Sequence, residues 1–214
     1  VCQARKEKRF CPSLHDRICA QCCGTERENT IDCTPDCTYL RQARQHDKPR
    51  SFLDLQGEEL FREIQLDQRF FFDHEPLITG LMFAVSRVAL ANREWTDRDL
   101  IHAITEITRS AATRANSGLI LQENTPNPVQ QMLRAEIDKM VGQYRQLEEQ
   151  NLGYARLKDS DVMRALVFLV RTAHSRTNGR RKSRAFVDTL RVQFPMQTES
   201  GATPAATGSN LIIP

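Results

Sequence analysis

The chain has 214 residues, 40% of them hydrophobic and 27% charged, which is enough apolar material for one domain plus a small module and argues against wholesale disorder. A net charge of +3 is too small to argue for nucleic acid by itself. The best candidate for a bilayer span, Leu77 to Ala91, is short and contains Arg87. The charged start Arg5-Lys6-Glu7-Lys8-Arg9 precedes no apolar stretch, so the sequence predicts no secretory signal and a cytoplasmic protein.

All seven cysteines fall at or before position 37: Cys2, Cys11, Cys19, Cys22, Cys23, Cys33 and Cys37. The first 50 residues hold few large apolar side chains, chiefly Phe10, Leu14, Ile18, Ile31, Tyr39 and Leu40. Such a segment cannot offset its own chain entropy and needs a staple or a metal. Residues 1–47 are therefore expected to form a cysteine-rich metal-binding module. Gln42 to Ser51 reads as the tail of a short helix followed by a linker containing Pro49.

Residues 53–195 read as an all-α domain of about five to six helices, so the fold class is mainly α. Leu60, Phe61 and Ile64 suit a first helical face. Pro76 fits the first turn of the next helix, whose Leu77, Ile78, Leu81, Met82, Val85, Val88 and Ala89 make it apolar almost all round and predict a buried central helix. Thr96 and Asp99 have capping-box spacing ahead of Leu100, Ile101, Ile104 and Ile107, and Gly118 is a stop. Asn127-Pro128 opens a helix that should end before Gly153. Asp159 to Asp161 can cap the following helix, with Asn178-Gly179 as its left-handed terminus. Ser183 can cap a last short helix that stops at Pro195. Residues 196–214, rich in Gly, Ala, Thr, Ser and Pro, read as a disordered tail. No period-2 strand pattern stands out beyond residue 50.

The cysteine spacing carries the chemistry. Cys19-x2-Cys22 and Cys33-x3-Cys37 are two close pairs separated by a loop, the arrangement that offers four thiolates to a tetrahedral ion. Gly24 would allow a tight turn whose N–H groups point at sulfur, and Pro35 would stiffen the second pair. Cys11 and Cys23 are further candidate ligands. Cys23 packs, or reaches a second ion with Cys11 and His15, and the six thiols from Cys11 to Cys37 could also hold two ions through shared sulfurs. Cys2 is expected to be free. Structural zinc is the favoured occupant, with an iron–sulfur cluster as the alternative. A disulfide framework would need an oxidising compartment. A redox pair at Cys19 and Cys22 would need a strand–helix context that the sequence lacks.

The stretch Cys11-Pro12 … Ile18-Cys19-Ala20-Gln21-Cys22-Cys23-Gly24-Thr25 … Asp32-Cys33 … Asp36-Cys37-Thr38-Tyr39-Leu40 resembles the N-terminus of uncharacterised bacterial proteins. Ala165-Leu166-Val167-Phe168 and Thr177-Asn178-Gly179-Arg180 are similar to their final segment. The resemblance implies the module and no activity. Over about 20 residues the paired cysteines also resemble zinc-ribbon and zinc-knuckle modules.

A second feature is basic. Arg164, Arg171, Arg176, Arg180, Arg181, Lys182 and Arg184 occur with no Asp or Glu between Val162 and Val187. Cations favour a helix C-terminus, so a solvated loop whose arginines pair with acids elsewhere is the simpler expectation. The functional alternative is a nucleic-acid or phosphate contact through Arg176, Arg180, Arg181, Lys182 and Arg184. No catalytic residues are expected: the histidines are scattered, Asp99 and His102 share a helix face without a matching pair, and Ser110 and Ser183 lie in no nucleophile elbow. Phe70-Phe71-Phe72 reads as packing surface. The expected function is a zinc-stabilised, non-enzymatic binding protein with a protein or nucleic-acid partner. The alternative is a metal- or iron–sulfur-dependent enzyme or redox sensor using the same cysteines.

Overall fold

A computed structural model describes residues 4–51, 54–55, 59–119 and 127–195. The expected tail at 196–214, Cys2 and the domain start at Leu53 lie outside the described residues. The protein is mainly α-helical, with a two-stranded sheet in the N-terminal module. Strand β1 (Arg9–Cys11) pairs antiparallel with β2 (Asp16–Ile18), placing Cys11 opposite Asp16. His15 closes the hairpin at φ 50°. Helix α1 (Ala20–Glu26) and helix α2 (Thr38–His46) follow.

Among the described residues, six helices form the larger part. They are α3 (Gln68–Asp73), α4 (Glu75–Ala91), α5 (Asp97–Ser117), α6 (Pro128–Leu152), α7 (Asp159–Arg176) and α8 (Ala185–Gln193). Their boundaries follow local chemistry. Thr96 Oγ1 accepts the Asp99 N–H while an Asp99 carboxylate oxygen accepts the Thr96 N–H at 2.9 Å, the reciprocal cap that the sequence predicts. Gly118 ends α5 at φ 69° and Gly153 ends α6 at φ 82°. The Asn127 side chain accepts the N–H groups of Val129 and Gln130 ahead of Pro128.

The core lies where α5 packs along α7 and α4 along α6, with α8 closing one end. Leu81, Leu100, Ile104, Leu133, Leu166, Leu169, Phe186 and Leu190 are fully buried there. Each such side chain contributes about 1.5–3 kcal/mol of transfer free energy. Gly80 lets α4 approach α6 closely: a Cβ at this position would lie 2.9 Å from Met140 Sδ.

Three expectations are corrected. Helix α4 is not buried all round: Thr79, Phe83 and Arg87 form an exposed stripe at four-residue spacing, and Arg87 pairs with Glu136 of α6 at 3.2 Å. The enclosed helix is α7, of whose residues only Arg176 is exposed. Leu60, Phe61 and Ile64 do not form a helix. Phe61 takes φ 48°, and the Arg171 guanidinium collects the carbonyls of Leu60, Phe61 and Ile64 at 2.9, 2.6 and 2.9 Å. Those acceptors satisfy a half-buried cation instead of a helical ladder. Helix α7 ends at an extended Thr177, with Gly179 taking φ 73° two residues later in the turn.

Candidate functional site

The cysteine module is built from three local devices. Cys11 ends β1, Cys19 is the N-cap of α1, and Cys37 is the N-cap of α2. Cys19 Sγ accepts the Cys22 N–H at 3.3 Å, so the first pair does direct a backbone donor at sulfur. The expected Gly24 turn is absent: Gly24 is helical, and the one-turn spacing of Cys19 and Cys22 comes from the start of α1. The second pair brackets a turn closed by the Cys37 N–H on the Thr34 carbonyl at 3.0 Å.

Cys11, Ile18 and Ile31 form a small buried cluster against which Cys22, Cys23 and Cys33 pack. Two aliphatic side chains offer only a few kcal/mol, far less than the entropy of ordering the segment at about 1–2 kcal/mol per residue. The six described thiols are free of disulfides. Burial pushes the Cys33 thiol above its ordinary range. The backbone N–H of Glu28 pulls the other way, and charge on Glu28, Cys37 and Cys11 adds to the rise. Cys33 therefore lies within electrostatic reach of Cys11 and Cys37. Among the described residues no three Cys, His, Asp or Glu side chains form a group that could hold an ion. His15, a candidate partner of Cys11 and Cys23, is exposed.

What holds the module is a buried carboxylate that the sequence does not announce. Glu28 sits at φ 54°, a conformation that costs a residue with a Cβ about 1–2 kcal/mol, and is 2% exposed. The turn drives its side chain inward. There it pairs with Arg44 of α2 and accepts from Asn178 Nδ2 at 2.9 Å and from the Arg184 N–H at 3.2 Å. Its own carbonyl accepts the Lys182 N–H at 2.7 Å. Glu28 thus joins α1, α2 and the α7–α8 loop at one point.

The basic loop is the other half of this joint. Arg180 Nη1 donates to the carbonyls of Gly24 and Arg27, and Lys182 Nζ donates to the Thr30 carbonyl at 3.0 Å. Arg184 is buried and donates to the carbonyls of Arg93 and Ala89. The pairing expected with acids elsewhere is replaced here by donation to backbone carbonyls. Arg181 and Arg176 remain exposed, Arg176 at the end of α7 and Arg181 within the loop.

Asp97 is the second carboxylate that sequence reasoning missed. It is 0% exposed, accepts Ser183 Oγ at 2.6 Å, and accepts the N–H groups of Phe186 and Val187 at 3.2 Å. The cap of α8, expected from Ser183, comes chiefly from this residue at the start of α5. Of the α8 N–H groups, Ser183 Oγ accepts that of Ala185, at 3.3 Å, and it also accepts the Thr177 hydroxyl at 3.4 Å. The charged run Asp97-Arg98-Asp99 after Thr96 gave no hint that its first residue faces inward. Glu28 lies in the equally uninformative run Thr25-Glu26-Arg27-Glu28-Asn29.

The other sequence candidates do not converge. Asp99 is committed to its cap, and His102 is exposed. His74 Nε2 lies 3.8 Å from Asp161. Phe70 is buried, Phe71 packs edge-on against Phe168, and Phe72 is 84% exposed. No described helix is long and apolar enough to cross a membrane. Compared with family models, curated proteins and solved structures, the chain matches none of them.

Proposed function

We propose that this protein is a metal-stabilised, non-enzymatic interaction protein in which the N-terminal thiols hold structural zinc. The observation that carries the reading is the donor set. Six free thiols lie within Cys11 to Cys37, two of them at helix N-caps, with backbone N–H groups directed at Cys19 and Cys33. Soft thiolates with amide donors suit zinc, and the small apolar cluster beneath them leaves the module in need of a staple. Cys19, Cys22, Cys33 and Cys37 are the primary ligands, with Cys11 and Cys23 as the further ligands of a second or shared ion. In this reading the basic loop serves as the seat of the module.

Elemental analysis with an absorption spectrum of the purified protein tests it. One or more zinc per chain and a colourless product support the reading. A brown, iron-bearing product replaces it with a cluster-dependent redox function through the same cysteines. A metal-free, folded protein removes it.

A further inference from the structure

The α7–α8 loop does more than seat the module. Beside it lies a hollow of about 390 Å³ whose lining includes four guanidiniums from three separate stretches of chain. Arg50 comes from the segment after α2, Arg98 from the first turn of α5, and Arg180 and Arg181 from the loop. Ile101 and His174 also line it, and no carboxylate does among the described residues. The neighbouring cleft shares Arg98 and Arg181 but includes Asp32, Glu94 and Asp99, so the unbalanced positive charge lies on the Arg50 side.

These cations are not all consumed by the fold. Arg98 and Arg181 are exposed and make no hydrogen bond or ion pair among the described residues. Arg50 donates from Nη2 to the His174 carbonyl at 2.8 Å, yet its Nε is buried with no acceptor. Arg180 uses one nitrogen, Nη1, on the module. Like charges around one hollow repel, and a bound anion turns that cost into attraction. Planar guanidiniums match the oxygens of a phosphate group in paired fashion. The volume falls within the range of about 300–1,000 Å³ typical of small-molecule sites, and Ile101 offers an apolar wall to an organic body.

We infer that this hollow binds a small phosphate-bearing anion, a diphosphate or a phosphomonoester such as a mononucleotide, through Arg50, Arg98, Arg180 and Arg181. The site uses none of the cysteines, and it specifies a ligand chemistry that the interaction reading leaves open. Lys182, Arg184 and Arg176, the other basic candidates, do not line it.

Calorimetric titration of the full chain at low salt tests the site, with inorganic pyrophosphate, AMP and a short single-stranded DNA as probes. Arg98→Ala and Arg181→Ala, singly and together, are compared with the surface control Arg69→Ala. Pyrophosphate or AMP should bind, and should bind more weakly as salt rises. The double variant should lose about tenfold or more in affinity, the loss expected for charge-assisted hydrogen bonds. Its melting temperature without ligand should not change, because neither side chain is used by the fold. Stronger binding of AMP than of pyrophosphate identifies an organic phosphate, and the reverse order an inorganic one. Failure of both small anions to bind the wild type overturns the proposal, as does binding that survives the double substitution. Binding of DNA alone overturns it in favour of a polymer surface.

Discussion

Asn178 donates from Nδ2 to the Glu28 carboxylate at 2.9 Å, across 150 positions of sequence. The Arg184 N–H reaches the other oxygen of the same carboxylate, and Arg44 pairs with it from α2. A module with too little apolar surface to stand alone is therefore held in part, beside the Arg180 and Lys182 bonds to its carbonyls, by one buried acid. Removing it should be costly. Glu28→Ala removes one of three carboxylate partners of Arg44, leaving Asp47 and Asp188, and strips the acceptor from the Asn178 amide and the Arg184 N–H; it should lower stability by about 1–3 kcal/mol. Glu28→Gln keeps the shape and should lose less. Urea unfolding of both variants checks this, and equal, small losses would show that the joint is dispensable.

The cross-chain cap at Asp97 gives a second expectation. Asp97→Ala leaves the Phe186 and Val187 N–H groups and the Ser183 hydroxyl unpaired in the interior. The loss should be about 2–4 kcal/mol, combining a lost cap with buried unsatisfied donors. Ser183→Ala alone should cost about 1 kcal/mol. Hydrogen exchange should show faster opening of α8 before the rest of the bundle in the Asp97 variant.

Arg171 binds three carbonyls of the irregular segment before α3. A lysine has one donor group on a flexible stem and cannot hold three acceptors in the same plane. Arg171→Lys should therefore cost nearly as much as Arg171→Met, about 2 kcal/mol. Thermal melts of the two variants would separate this from a purely electrostatic role, which lysine would rescue.

Asp188 supplies a pH signature. Burial holds its carboxyl above the ordinary value of 3.8, although Arg44, Arg191 and Arg184 pull it down. An acid whose folded pKa is raised contributes stability that is fully present below its unfolded pKa and lost as pH climbs through the folded one. Asp188→Asn should abolish that loss, flattening the stability profile just above pH 3.8 relative to the wild type. Chemical unfolding across that window checks the sign. A steeper fall toward acid in the wild type than in the variant would contradict it.

Metal removal should reach beyond the module. If zinc holds residues 1–47, a strong chelator should make that segment protease-sensitive. It should also lower the melting temperature of the helices, because Glu28, Gly24, Arg27 and Thr30 are partners of the α7–α8 loop. The helical circular dichroism should persist at 25 °C, since the core of α4 to α8 contains no cysteine. Complete loss of that signal would show that the module and the bundle fold as one unit.

The sequence alone determined the start of α4 and both ends of α5 and α6, because proline, glycine and capping residues act within one turn of where they stand. Thr96 with Asp99, Asn127 with Pro128, Gly118 and Gly153 each did what local chemistry requires. It also determined that the cysteines belong to one small module, since their segregation is visible in the chain itself. Tertiary structure decided the rest. The segment around Phe61 left the helix because Arg171, more than a hundred residues away, competes for its carbonyls. Glu28 and Asp97 became interior because distant N–H groups converge on them, and a carboxylate among other charged residues has no local pattern that marks it. The clustering of Arg50 and Arg98 with Arg180 and Arg181 likewise needed the fold, because charge acts through space and the four arginines come from three separate parts of the chain.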